Sequence, residues 1–173
     1  GRTGRMFACE HENVSPDLMA IAKGITGGYL PLAATLATEE IFSAFLAPTQ
    51  ASRQLFHGHS YSGNALGCAA ALANLEIFET EDVLGRVART GARLALRLDE
   101  FRARACVGDI RQRGLIAGIE LVRDRATREP FDPRDRVGHL VCSAMRKHGI
   151  ILRPLGDTVV VMPPLSVSEA EID

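Results

Sequence analysis

The sequence predicts an α/β fold, and three observations predict it. Apolar residues recur at helical spacing over residues 64–79 and 82–104. Short apolar runs bounded by glycine precede the first of these helices. A pair of β-branched runs, Ile150-Ile151-Leu152-Arg153 and Val159-Val160-Val161-Met162, closes the chain around a turn at 154–157.

In chain order, Ser15-Pro16-Asp17 is a turn signal. Leu18-Met19-Ala20-Ile21-Ala22 then reads as a short buried run that ends at Lys23, and Gly24 and Gly27-Gly28 break it. Leu32-Ala33-Ala34-Thr35-Leu36 is a second such run. Residues 39–46 read as a short helix stopped near Pro48. The alanine-rich helix of 64–79 carries Leu66, Ala70, Ala73 and Ile77 at helical spacing, and its small side chains permit close packing. The helix of 82–104 buries Val83, Val87, Leu94, Leu98 and Phe101.

A β-rich region follows from Ile110 to Val122, and Pro130 and Pro133 mark a loop. Val137, Leu140, Val141, Ala144 and Met145 share a face of one more helix, which Gly149 ends as a C-cap. The order in this half is therefore α-β-α-β-β, that of a small α/β domain. Both ends read as interior to a longer chain. Gly1 to Arg5 resembles a loop in progress, and Ser168 with Glu171 three residues later is a capping box with almost no helix after it.

Composition narrows the function classes. Of 173 residues 46% are hydrophobic and 24% charged, as in a soluble globular protein, and the net charge of −1 gives no pull toward nucleic acid or anionic membrane. Arg86, Arg89, Arg93 and Arg97 form a helical stripe that reads as a solvated face rather than a nucleic-acid patch. No apolar run approaches the ~20 residues of a transmembrane helix, and no leader opens the chain. Cys9, Cys68, Cys106 and Cys142 form no C-x-x-C pair, so they propose neither a zinc site nor a disulfide framework. Scattered thiols fit a reducing cytoplasm.

Three places could carry chemistry. Lysine occurs only at Lys23 and Lys147. Lys23 follows five apolar residues and precedes a glycine, so the pattern presents its amine from the end of a buried run, where desolvation favours the neutral nucleophile. The same pattern also fits an ordinary lysine reaching to the surface. His57-Gly58-His59-Ser60-Tyr61-Ser62-Gly63-Asn64 is a glycine- and hydroxyl-rich loop entering a helix. It suits either a phosphate or a plain polar helix start, and its two histidines lack metal-ligand spacing. Arg153 stands at the end of an apolar strand, where it needs an anion, from a substrate carboxylate or from a structural salt bridge.

In this order, the segments resemble the class III pyridoxal-phosphate aminotransferases. Pro16 through Gly28 is similar to that family's cofactor-lysine segment, Gly1 through Phe7 to the segment before it, and Ser62 through Ala71 to the helix after its phosphate loop. Gly28-Tyr29-Leu30-Pro31-Leu32-Ala33-Ala34-Thr35, Leu152 through Asp157, and Val161 through Leu165 resemble the biotin-synthesis branch of the family.

The resemblance implies the C-terminal part of a fold-type I fold. Residues 1–62 would be the end of the large cofactor domain, 63–80 a connecting helix and 81–173 an incomplete small domain. It implies pyridoxal 5'-phosphate as cofactor, a cytoplasmic homodimer with sites shared across the interface, and amino transfer from S-adenosylmethionine to 8-amino-7-oxononanoate. Lysine or another amino donor, a different ω-aminotransferase and a non-catalytic remnant are the alternatives.

Residue by residue, Lys23 would bond to the cofactor and move the proton between the donor's α-carbon and the cofactor's C4′. Gly58 would line the substrate pocket. His59, through its backbone N–H, and Ser60 would meet the cofactor phosphate of the neighbouring subunit. Arg153 would pair with the substrate carboxylate. The family's other phosphate loop, stacking aromatic ring and pyridine-nitrogen aspartate lie upstream in its pattern, which implies no useful activity and at most weak cofactor binding for these residues alone.

Overall fold

The computed structural model describes all 173 residues, and they divide into two compact units. One comprises residues 9–82. The other joins residues 1–8 to 83–173. The alanine-rich helix lies with what precedes it, and the first eight residues lie with the C-terminal half.

In the 9–82 unit, β1 (Leu18–Ala22) and β2 (Ala33–Ala37) pair antiparallel, Leu18 opposite Ala37 and Ala22 opposite Ala33. Both were expected to be buried. Instead every residue of β2 is exposed, and β1 is exposed at alternate positions, because the two-stranded ribbon has no second layer over it in this chain. Helix α1 (Glu39–Ala44) starts where the Thr38 hydroxyl accepts the Ile41 amide, and it ends before Pro48 as anticipated. Helix α2 (Ala65–Thr80) is capped by Asn64, whose side-chain oxygen accepts the amides of Leu66 and Gly67. Its covered stripe is Gly67, Ala70, Ala71, Asn74 and Phe78. Leu66 and Ile77, expected to face inward, are exposed. Glycine and alanine win that face because the chain passes so close: a Cβ on Gly67 would stand 3.3 Å from Leu32.

The other unit holds a four-stranded antiparallel sheet in the order β3-β4-β6-β5. Helix α3 (Val83–Asp99) lies on β3, and α4 (Val137–Met145) lies on β5 and β6. The β-rich region is a hairpin of β3 (Val107–Arg113) and β4 (Ile116–Leu121), so the order is α-β-β-α-β-β rather than α-β-α-β-β. The glycine turn at Gly114 divides the β-rich region into two strands. Val83, Val87, Leu94 and Leu98 are buried as read from their spacing, joined by Thr90 and Gly91. Phe101 lies beyond the helix and is exposed. On α4 the covered residues are Gly138 and Cys142, with Leu140 and Val141 outward, since Cys142 packs with Leu121 and Val159. After Met145 the helix tightens into a 3₁₀ turn, Arg146–His148, that ends at Gly149 in the left-handed region. Strand β5 (Arg153–Leu155) begins three residues later than expected and pairs with β6 (Thr158–Val161). Helix α5 (Glu169–Ile172) opens on the anticipated Ser168–Glu171 capping box.

The arginine stripe of α3 is partly neutralised within the unit. Arg93 makes a two-pronged bond to Asp173 at 2.7 and 2.6 Å, and Arg97 bonds Glu100 at 2.6 Å. These pairs are surface-exposed and contribute little stability.

The first residues are stapled to the β3–β4 turn. The Leu115 amide donates to the Arg2 carbonyl at 2.9 Å, and Arg2 Nη1 donates to the Leu115 and Pro163 carbonyls at 3.1 and 2.6 Å. Partial burial lowers the guanidinium's proton affinity, an expense that these carbonyls offset. Gln112 ties the same turn to α3, donating to the carbonyls of Gly91 and Gly114 at 2.7 and 2.9 Å. Gly114 sits at φ +57°, and a Cβ there would run into the Arg2 carbonyl oxygen.

Gly114→Ala is therefore expected to lower unfolding stability by about 1–3 kcal/mol. A denaturant midpoint unchanged from the parent would contradict the stapled packing.

Candidate active site

Lys23 follows the last residue of β1 directly and opens a 3₁₀ turn, Lys23–Thr26. The strand leaves Ala22 extended, and Lys23 then turns left-handed at φ +55°. That conformation is costly for a side chain with a Cβ, on the order of 1–3 kcal/mol, and survives only where its surroundings over-determine it.

The surroundings here are specific. The Gly27 amide donates to the Gly24 carbonyl at 3.0 Å, with Gly27 itself at φ +62°. The Tyr29 amide donates to the Thr26 carbonyl at 3.2 Å. Thr26 is only 1% exposed, and its hydroxyl donates to the Leu30 carbonyl at 2.6 Å. From α2, the Asn74 carboxamide donates to the carbonyls of Gly24 at 3.0 Å and Ile25 at 3.2 Å. Thr26 and Asn74 escaped the sequence reading. Asn74 is a polar residue on the small-residue face of α2, a face that only the packing reveals.

The Lys23 amine is exposed and makes no hydrogen bond or ion pair. The expected desolvation is not supplied within these residues, because the ribbon that ends at Lys23 is itself uncovered. Ala20, Ile21, Ala22, Ala33, Ala34 and Thr35 line a shallow open pocket on that ribbon.

The loop of 57–63 is exposed throughout and precedes α2. It is organised by its own bonds. The His59 amide donates to Ser62 Oγ at 3.2 Å, the Tyr61 amide donates to His59 Nδ1 at 3.1 Å, and the Ser62 amide donates to the His59 carbonyl at 2.9 Å. Two expectations change. The His59 N–H is engaged by Ser62 rather than open to a phosphate, and the His59 ring shapes the loop as an acceptor. The rings of His59 and Tyr61 lie 5.6 Å apart. The Ser60 hydroxyl makes no bond within the loop, and Gly58 has open space where a side chain would be.

Arg153 is the first residue of β5, opposite Val160. It is exposed and pairs with no carboxylate, so the structural salt bridge is absent. Its hairpin is fixed to α4 by Asp157, whose carboxylate accepts the Gly138 amide at 2.8 Å. Burial pushes the Cys142 thiol up, which leaves it a packing residue beneath the same sheet.

The donor set fits the cofactor that the resemblance implies. A free primary amine suits an aldehyde, an unpaired hydroxyl on an exposed loop suits a phosphate, and an unpaired guanidinium suits a carboxylate.

The family model "Aminotransferase class-III" matches residues 1–173. The chain belongs to the class III aminotransferases. This family depends on pyridoxal phosphate, and its members share the fold-type I architecture. Among class III relatives, an adenosylmethionine-8-amino-7-oxononanoate aminotransferase of Geobacter sulfurreducens is 52% identical over the whole chain, which spans 38% of it. One from Nitratidesulfovibrio vulgaris is 54% identical, and the chain spans 32% of it. The crystal structure of the Methanocaldococcus jannaschii enzyme of that name superposes with a TM-score of 0.93 at 45% identity, over 99% of this chain and 40% of that one. An amine transaminase from an uncultivated Pseudomonas species, solved in its PLP-bound form, superposes with a TM-score of 0.92 at 39% identity, over 99% of this chain and 39% of that one. The chain thus spans about a third to two fifths of the class III proteins it matches. No helix is long and apolar enough to cross a membrane.

Within the lysine turn, Thr26→Val removes the hydroxyl that satisfies Leu30. It is expected to lower the unfolding free energy by about 1 kcal/mol. Equal melting of the two forms would show that the buried hydroxyl does not support the turn.

Proposed function

We propose that this chain carries the lysine-bearing part of an aminotransferase that moves an amino group from S-adenosylmethionine to 8-amino-7-oxononanoate, giving 7,8-diaminononanoate in biotin synthesis. The observation that carries the reading is the geometry at Lys23: a free amine on a strained, tightly held turn at a strand end. The family match and the names of the relatives support it. Lys23 would bond the cofactor and move a proton between the donor's α-carbon and the cofactor's C4′. When bound, pyridoxal phosphate supplies the electron sink. Gly58 would leave room for substrate, and Arg153 would receive its carboxylate. Ser60 would meet the phosphate of a neighbouring subunit through its hydroxyl in a cytoplasmic homodimer, and the His59 N–H would join it on release from Ser62.

Segments 1–62, 63–80 and 81–173 would then be the end of the large domain, the connecting helix and part of the small domain. The large domain's other residues would cover the ribbon and desolvate Lys23. Turnover is accordingly expected only when the remainder of the family's fold accompanies this chain.

A second reading, an ω-transaminase acting on another amine donor, draws on solved relatives such as the (S)-enantioselective ω-transaminase of Thermomicrobium roseum, 40% identical with a TM-score of 0.91.

Two measurements test the proposal. Mixed with excess pyridoxal phosphate and reduced with borohydride, the chain is expected to carry the adduct on Lys23; label concentrated on Lys147 would reject the lysine assignment. Joined to the rest of the family's fold, it is expected to form 7,8-diaminononanoate with S-adenosylmethionine as donor. Amination of simple amine acceptors with none of 8-amino-7-oxononanoate would favour the ω-transaminase reading.

A further inference from the structure

We propose that Asn74 is a positioning residue for Lys23, setting from helix α2 the backbone conformation in which the lysine amine is presented. The inference rests on the reading of Lys23 above.

Asn74 lies at the centre of the stripe by which α2 packs, between Ala70 and Ala71 on one side and Phe78 on the other. A polar side chain on such a face is unfavourable unless its groups are satisfied. Asn74 satisfies its donors across 50 residues of chain. Its Nδ2 donates to two successive carbonyls, Gly24 at 3.0 Å and Ile25 at 3.2 Å. Those carbonyls belong to the turn that Lys23 opens, and the Gly24 carbonyl also accepts the Gly27 amide. The oxygen of the carboxamide lies over Gly27, where a Cβ would stand 3.3 Å from it.

One carboxamide therefore holds two successive peptides of the turn that follows a lysine at φ +55°. Without it the turn keeps only its own short-range bonds, and Lys23 is free to relax toward a commoner backbone conformation, which swings the amine away. The function needs a donor with two N–H bonds in a planar group. Aspartate has the same shape and no donor, and alanine has neither.

The test uses the chain loaded with excess pyridoxal phosphate and compares Asn74→Asp, Asn74→Ala and Asn74→Gln with the parent. Ala73→Asp on the exposed side of α2 is the control for added charge and for helix stability. Three quantities are read: amide exchange at Gly27 and Tyr29, the rate of borohydride-trapped label at Lys23, and the pH midpoint of the bound cofactor's absorption band.

Asn74→Asp and Asn74→Ala are expected to speed Gly27 exchange about tenfold and slow trapping about tenfold, since two hydrogen bonds of ordinary net strength are lost. The midpoint moves in both, the control leaves all three unchanged, and Asn74→Gln recovers part of the loss. If Asn74→Asp does not fold, Asn74→Ala decides. Label on Lys23 with a rate and midpoint indifferent to Asn74 overturns this inference alone. Label on Lys147 in the unsubstituted chain overturns the reading of Lys23 and this inference with it.

Discussion

The structure of the 9–82 unit depends on one constraint: the chain must leave a strand in extended conformation at Ala22 and reverse at once through a left-handed Lys23. Glycine would make that reversal freely. A lysine makes it only because the residues after it are held from several directions. Gly27 closes the turn, Thr26 buries its hydroxyl against Leu30, and Asn74 reaches from α2 to two carbonyls. The alanine-rich character of α2 follows from the same demand. Gly67, Ala70 and Ala71 share the covered stripe with Asn74, and at Gly67 the chain at Leu32 passes so close that a Cβ would stand 3.3 Å from it.

The other unit uses close approach for a different end. Gly91 of α3 packs on Gly114, Gln112 bonds both of their carbonyls, and Arg2 bonds the carbonyls of Leu115 and Pro163. The result is a hairpin tied on both sides, with a second hairpin pinned to α4 through Asp157 and Gly138. Arg153 starts the edge strand of that second hairpin. An exposed guanidinium on a pinned strand is well suited to receive an anion, because little backbone order has to be gained on binding. Exposed apolar residues such as Phe56, at 93%, and Tyr29, at 88%, belong to the 9–82 unit, the one whose strands have no covering layer.

Much of this was legible in the sequence, and the misses have physical causes. Helices α1 to α4 were visible from periodicity and end signals: Pro48, the polar start at Asn64 and the glycine at 149 mark their ends. The Ser168–Glu171 box was visible for the same reason. The core of α3 was readable because valine and leucine alternate with arginine at a strict helical spacing. The face of α2 was not readable, because in an alanine-rich helix hydrophobicity no longer distinguishes the inside; closeness does, and Leu66 and Ile77 point outward. The β3–β4 hairpin merged into one region because Gly114 is the only break in it.

At the candidate site, Lys23, the 57–63 loop and Arg153 were singled out from residue type and order. The engagement of the His59 N–H by Ser62 was not, since it depends on loop geometry. The apolar run before Lys23 left burial and surface exposure both open; the side chain is exposed because burial needs a covering layer that these residues do not contain.

The central claim is that Lys23 occupies its strained position for chemistry and at the expense of stability. Replacing it with glycine tests this most directly. Lys23→Gly should raise the unfolding free energy by about 0.5–1 kcal/mol, because glycine accepts a positive φ without strain, and should abolish borohydride-trapped pyridoxal phosphate. A glycine form that is less stable than the parent, or that still takes up label, would contradict the account.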